Sequence, residues 1–319
     1  MADLEKTRRN QQAAVLNAPR IARIVERALP QRVLKSFELL NGGGFNLSYL
    51  LRFEKDETPV VLRIFTNDPS ACQKEVDLLY AVSGLLPVPE VIYAETTGEE
   101  DIGPYLSYRH VEGITFQELK SHGNLQDMAE AAYAIGAVLA RLQRISFALP
   151  VPAGPMSPVE VVAAKCLASP VLGQRLGVAG RDRLYQFVSE WLPMLRHLDQ
   201  DRALVHGDFS NRNILVRREG HGWMVAGILD WESAFLGSPL WDAARFICFE
   251  RQARPCREPH FSRGFAESGG SLPENWRACS RAINALTSTE SLTRPDLPER
   301  FVPDLRELIA ATLNDRDLS

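Results

Sequence analysis

The 319-residue sequence is 45% hydrophobic and 24% charged, with a formal net charge of −4 at pH 7, the profile of a globular chain large enough for two domains. That balance leaves no basic footprint for nucleic acid, and no apolar run reaches the roughly 20 residues of a membrane span. The opening MADLEKTRRNQQAAV is charged where a secretory leader is apolar, so a cytoplasmic location is expected. Cys72, Cys166, Cys248, Cys256 and Cys279 are odd in number and form no CxxC pair, which points to neither a disulfide framework nor a zinc site.

In chain order, IARIVERA (21–28) has helical spacing and stops before Pro30. SFELLN, LSYLLRFE and PVVLRIF follow as strands of an antiparallel meander, the first two separated by Gly42–Asn46 and the last two by the turn KDETP. Val76, Leu79, Val82 and Leu86 recur at helical spacing; PVPEVIYAE and PYLSYRHVEG then read as two more strands. MAEAAYAIGAVLARLQRI (128–145) predicts a long, mostly buried helix. After Pro150 the chain reads as helix or loop, except for a strand region over 204–235. A strand-rich first part, 1–111, and a helix-rich second part, 112–319, are expected, with no internal repeat.

The stretch LVHGDFSNRNILV (204–216) sets His206, Asp208 and Asn213 between two hydrophobic clamps. A buried carboxylate without a partner is costly, so Asp208 is expected at a cleft or held by a neighbour. After the strand ILVRR and the turn GHG comes WMVAGILDWE, which places Asp230 near a strand end; a hairpin would return it beside Asn213. Two carboxylates and an amide form a hard oxygen set suited to Mg²⁺ alongside substrate phosphates. The chemistry indicated is phosphoryl transfer, and the spacing H-x-D-x-x-x-x-N followed by an aspartate fits a kinase-type catalytic loop and metal aspartate.

His206-Gly207-Asp208 and Asp230-Trp231-Glu232 resemble the corresponding motifs of the aminoglycoside phosphotransferase and choline kinase family of small-molecule kinases. The resemblance extends over nearly the whole chain through the glycine turn, Asn46 and Ser48, an acid in the next helix and PVPEVI. It implies an α+β, protein-kinase-like fold of two lobes, a small antiparallel-sheet N-lobe and a larger, mainly helical C-lobe. The cofactors implied are ATP or GTP with Mg²⁺. By the same resemblance Gly43, Gly44, Asn46 and Ser48 would cover the phosphates, although a glycine run between strands also serves as a plain hairpin turn. Arg63 stands where kinases carry a phosphate-binding lysine, and Glu75 where its ion-pair partner lies; the alternative is a solvated surface pair. The hinge around Ser107–Val111, including Arg109 and Val111, would meet the base. Asp208 is the catalytic residue implied, and Asn213 and Asp230 are the metal ligands. His206 and Asp242 read as structural braces, Glu232 as either a holder of metal-bound water or a cap, and Gln143 replaces a histidine frequent in relatives.

The acceptor implied is a small molecule bearing a hydroxyl, bound against roughly Pro150–Asp199 and the chain after Phe249. The arginine-rich run ERQARPCREPHFSR (250–263) argues against a polycationic aminoglycoside; macrolides, sugars, amino alcohols and other metabolites stay open. Two other classes are a nucleotide-binding pseudokinase-like module and a protein kinase. Intact Asp208, Asn213 and Asp230 speak against the first, and the short passage from Asp230 to SPLWDAARF against the second.

Overall fold

The computed structural model describes residues 16–41, 46–56, 58–66, 68–98, 102–145, 159–199, 203–220, 222–248, 250, 257–295 and 297–314. The chain divides into two compact units, one made of residues 1–113 with 226–232, the other of 114–225 with 233–319.

The first unit opens with α1 (Ala18–Ala28), started by the Asn17 side chain accepting from the Arg20 N–H. β1 (Leu34–Asn41), β2 (Leu47–Phe53) and β3 (Val60–Ile64) form the expected antiparallel meander. α2 (Ala71–Val82) then buries one face, and β4 (Val91–Glu95) and β5 (Tyr105–Arg109) complete a five-stranded sheet in the order β1-β2-β3-β5-β4. The central β3 is buried along its whole length, so every side chain on it must be apolar or fully partnered. Leu47, Tyr49, Leu51, Val60, Leu62 and Ile64 join Ile21, Ile24 and Val25 of α1 in one apolar core. The returning segment 226–232 is fixed in this unit by Ile228 N–H donating to the Pro87 carbonyl (2.8 Å) and by the fully buried Trp231.

The second unit begins with β6 (Ile114–Thr115) and α3 (Phe116–His122), joined by a capping box between Thr115 and Glu118. α4 (Leu125–Leu142) starts three residues before the apolar run because Asn124 caps it. α5 (Val159–Leu167) and α6 (Pro170–Leu195) follow, α6 breaking at Gly177 where φ is +73°. β7 (Ala203–Val205), β8 (Ile214–Glu219) and β9 (Gly222–Ile228) come next, with β8 between β6 and β9 in a three-stranded sheet. β10 (Phe235–Gly237) pairs antiparallel with β7. The chain ends in α7 (Leu240–Phe246), α8 (His260–Glu267), α9 (Trp276–Thr293) and α10 (Val302–Leu313). The rings of Phe116, Phe209, Phe246, Phe261 and Trp276 make a continuous aromatic chain through this core, with centroids 4.8–6.5 Å apart.

Among the described residues no helix is long and apolar enough to cross a membrane. Cys72, Cys166, Cys248 and Cys279 are free thiols, while Cys256 lies outside the described residues.

α4 and α8 cross at two glycines. A Cβ on Gly136 would lie 2.1 Å from the Phe261 carbonyl oxygen, and one on Gly264 would lie 2.0 Å from that of Tyr133. Both contacts are with backbone, which cannot rotate away. Gly136→Ala and Gly264→Ala are therefore each expected to cost about 1–3 kcal/mol through overpacking. Gly173→Ala in α6 is the control: its nearest neighbour is an arginine side chain at 4.0 Å, so it should be neutral or stabilising. Denaturant midpoints of the three variants check this.

Candidate active site

β3 carries Arg63 into the interior of the first unit, opposite Ser48 of β2 and Leu106 of β5. With 8% of its surface exposed, the guanidinium requires partners of opposite charge. It has three. Its Nε is 3.3 Å from Glu75 Oε2, and its Nη2 donates to Asp230 Oδ1 at 2.5 Å and to Glu232 Oε2 at 3.2 Å. The group also lies 5.2 Å above the Phe65 ring. Burial pulls the Arg63 pKa down, but Glu75 and then Asp230 outweigh it, so the net shift is upward. Glu75, almost fully buried on α2, is pushed up to about 7 by that burial, with Asp230 and Glu232 adding to the rise and Arg63 and the Trp231 backbone N–H opposing it. Arg63 shifts upward because several acids surround it, and Glu75 because burial outweighs the pull of that one shared cation.

Asp230 takes φ +70°, the left-handed region that non-glycine residues seldom occupy. The surrounding contacts hold it there: Arg63 takes its carboxylate, and the buried Trp231 indole donates to the Ile228 carbonyl at 3.0 Å. Asn46 links the start of β2 to this cluster, donating from Nδ2 to Glu232 Oε2 while its Oδ1 accepts from the Thr66 N–H. Among the described residues Glu75, Asp230 and Glu232 each bring an oxygen within 4.8 Å of the others. The cation they hold here is the Arg63 guanidinium.

The second unit positions Asp208 through a loop with little freedom. Asp242, buried on α7, accepts the backbone N–H groups of His206 at 2.7 Å and Gly207 at 3.0 Å. Burial pushes its carboxyl up to about 7, against the pull of those two donors. His206 is buried, and its Nδ1 accepts from the Asp208 N–H at 3.2 Å. Gly207 has φ +82°, and a Cβ there would lie 2.3 Å from the Ser233 carbonyl oxygen, so the position admits only glycine. The Asp208 side chain, 34% exposed, accepts from Arg245 Nε at Oδ1 (2.8 Å) and from Asn213 Nδ2 at Oδ2 (2.8 Å). Asn213 Nδ2 also donates to the Asp208 carbonyl, which turns the amide oxygen away from Asp208. Asn211 closes the loop: its carbonyl accepts from Gln117 N–H, and its Oδ1 accepts from Arg257 Nη1 at 3.3 Å.

Arg109, at the end of β5, directs its side chain to a surface ion pair with Glu90 at 2.7 Å. Val111 lies under Gly227, where an added Cβ would be 3.1 Å from a valine methyl. Gly43 and Gly44 fall outside the described residues. Asp230 belongs to the first unit and Asn213 to the second.

The arginine-rich run near the C-terminal side is not a free basic surface where it is described. Arg257 is buried, pairs with Glu250 and donates to the Phe246 and Cys248 carbonyls; Arg263 lies over Tyr133 and beside Glu267. The positive charge that does meet Asp208 is Arg245, which composition does not single out. Helical spacing could have found it, since residues three apart share a face and Asp242 had been marked.

A family model described as "Phosphotransferase enzyme family" matches residues 36–280. The chain belongs to this family. Among curated proteins none matches the chain. Similar solved structures include the GDP complex of wild-type aminoglycoside 2'-phosphotransferase-IIIa, 17% identical with a TM-score of 0.71, over 93% of this chain and 99% of that one. A second is a thermostable mutant of aminoglycoside phosphotransferase APH(4)-Ia in ternary complex with AMP-PNP and hygromycin B, 19% identical with a TM-score of 0.66, over 93% and 98%. A third is a GDP and kanamycin complex of APH(2")-IIia, 17% identical with a TM-score of 0.72, over 92% and 98%. The protein therefore has the protein-kinase-like fold of these phosphotransferases and, as a member of the family, is a phosphotransferase.

The raised Glu75 pKa makes stability depend on pH. Between the ordinary value of 4.5 and about 7, the unfolded chain ionises this group while the folded chain keeps its proton. Its stabilising contribution is full below pH 4.5 and falls as pH rises toward 7. The stability of the native protein relative to Glu75→Gln should fall across that window, measured by denaturation at fixed ionic strength; a flat difference would contradict the shift.

Proposed function

We propose that the protein transfers the γ-phosphate of ATP or GTP, with Mg²⁺, to a hydroxyl of a small molecule. The observation that carries this reading is the bracing of Asp208, a partly exposed carboxylate held by Asn213 and Arg245 on a loop whose backbone is tied to Asp242. That order suits a reaction in which alignment matters more than a strong base.

In the loose phosphoryl-transfer transition state the bond to the attacking oxygen is only slightly formed, so its hydroxyl proton is little acidified until late. Asp208 orients the acceptor hydroxyl and takes its proton late, as the bond to phosphorus forms. Asn213, with Nδ2 engaged by Asp208, keeps its amide oxygen for a hard cation, and Asp230 keeps the carboxylate oxygen that Arg63 does not hold. Such oxygen donors fit Mg²⁺. When bound, Mg²⁺ neutralises charge on the nucleotide phosphates. Arg63, engaged through Nε and Nη2 by three carboxylates, holds Asp230 in place and offers Nη1 to phosphate oxygens. Asn46 and Ser48, with Gly43 and Gly44, would cover the phosphates; the backbone near Arg109 and Val111 would meet the base. Hydroxyl attack on the γ-phosphorus gives a phosphate monoester and a nucleoside diphosphate.

A pseudokinase-like module shares the nucleotide site without turnover, and variants separate the two. Mg-ATP or Mg-GTP at a hundredfold excess over its dissociation constant should stabilise the native protein by about 2.7 kcal/mol. Asp208→Asn should keep that stabilisation while kcat falls by about 10² to 10⁴. Asp230→Asn should lose the Mg²⁺-dependent part of the stabilisation together with turnover. Thermal shift with and without Mg²⁺, alongside nucleotide consumption over a library of hydroxylated compounds, reads both. Stabilisation without turnover on any acceptor would favour the binding module, and no stabilisation by either nucleotide would end both readings.

A further inference from the structure

The charges around Asp208 bear on which acceptors can reach it. Among the described residues, two carboxylates tied to this loop and to α7 are already engaged. Asp242 is consumed by two backbone N–H groups. Glu250 is consumed by the Arg257 guanidinium and by the backbone N–H groups of Arg257 and Glu258. Asp208 is itself neutralised by Arg245, whose Nε stands 2.8 Å from Oδ1.

Arg245 differs from the other cation of this cluster in being half exposed, with 50% of its side chain open against 1% for Arg257. α7, which carries Arg245, is pinned at both faces: Asn284 donates to the Ala244 carbonyl at 2.8 Å, and Arg257 to that of Phe246 at 2.6 Å. The Arg245 Nε donates to Asp208 Oδ1, which sets the guanidinium beside the carboxylate. An acceptor whose hydroxyl is within reach of Asp208 brings its neighbouring substituents against that cation. An ammonium there meets a like charge, and among the described residues Asp242 and Glu250 are already engaged by other donors.

We propose that Arg245 is a specificity-determining residue, which turns away acceptors carrying an ammonium group beside the reacting hydroxyl and admits those without one. The inference rests on Asp208 being the residue at which the acceptor hydroxyl reacts, as proposed above. It makes a polycationic aminoglycoside a poor acceptor because of one helix-borne guanidinium, independent of the run 250–263.

The test uses the full chain saturated with Mg-AMP-PNP and titrated calorimetrically with kanamycin as the polycationic probe. Arg245→Gln removes the charge at similar length, Arg245→Ala serves should the glutamine variant not fold, and Arg245→Lys keeps the charge. The neutral variants should bind kanamycin on the order of tenfold more tightly than the native protein. Arg245→Lys should stay at the native affinity, and the gap should narrow as salt is raised. A merely structural role would not sort the variants by charge. Equal affinity in all variants, no measurable binding in any, or an equal gain in Arg245→Lys would overturn the proposal. Those outcomes leave phosphotransfer standing provided Mg-AMP-PNP binds; a native protein that does not bind Mg-AMP-PNP removes the proposed function and this inference with it.

Discussion

A guanidinium placed on the central strand of a sheet obliges the chain to bring carboxylates to it. Arg63 sits on the fully buried β3, and the three acids that meet it come from two other places: Glu75 from α2, and Asp230 and Glu232 from a segment more than 160 residues further on. The first unit is thus held at its polar centre by one cation and at its apolar centre by the α1 and β-sheet core. The arrangement has a cost. Glu75 is left with a carboxyl that resists ionisation, and Asp230 with a backbone conformation normally left to glycine.

The loop around Asp208 answers the same problem by a different route. Its backbone is fixed by a buried acid, Asp242, and by a buried ring, His206. Its apolar residue Phe209 enters the aromatic chain through Phe246. The short helix α7 supplies Asp242 and Arg245 to the loop and Phe246 to the aromatic core, so a seven-residue element governs both the loop's path and the charge beside its aspartate.

Much of this was legible from local pattern. The meander, the helix after it and the long helix of the second unit follow from periodicity, and the motifs around Asp208 and Asp230 led to the family. What escaped was non-local. The left-handed turn at Asp230 lies beyond the end of β9 and has no glycine to announce it. The crossing of Gly136 and Gly264 joins positions 128 residues apart, and neither glycine reads as a contact on its own helix. Composition marks the run 250–263 as arginine-rich and unfavourable to a polycation, but it does not reveal that Arg257 is drawn inside by Glu250 and by the Phe246 and Cys248 carbonyls. β10 is three residues long and pairs with the equally short β7, too brief for alternation to reveal.

The path of the chain between the units carries a consequence for how such a protein can be cut or recombined. Seven residues, Ala226 to Glu232, leave the second unit, contribute Ile228, Asp230, Trp231 and Glu232 to the first, and return. A fragment ending at Gly113 would keep every strand of the five-stranded sheet yet lose two of the three described acids that meet Arg63, leaving Glu75, and would leave the seat of Trp231 empty. Neither unit is a contiguous stretch of gene, so a swap between homologous proteins must exchange two separate stretches together if the buried charge cluster is to survive.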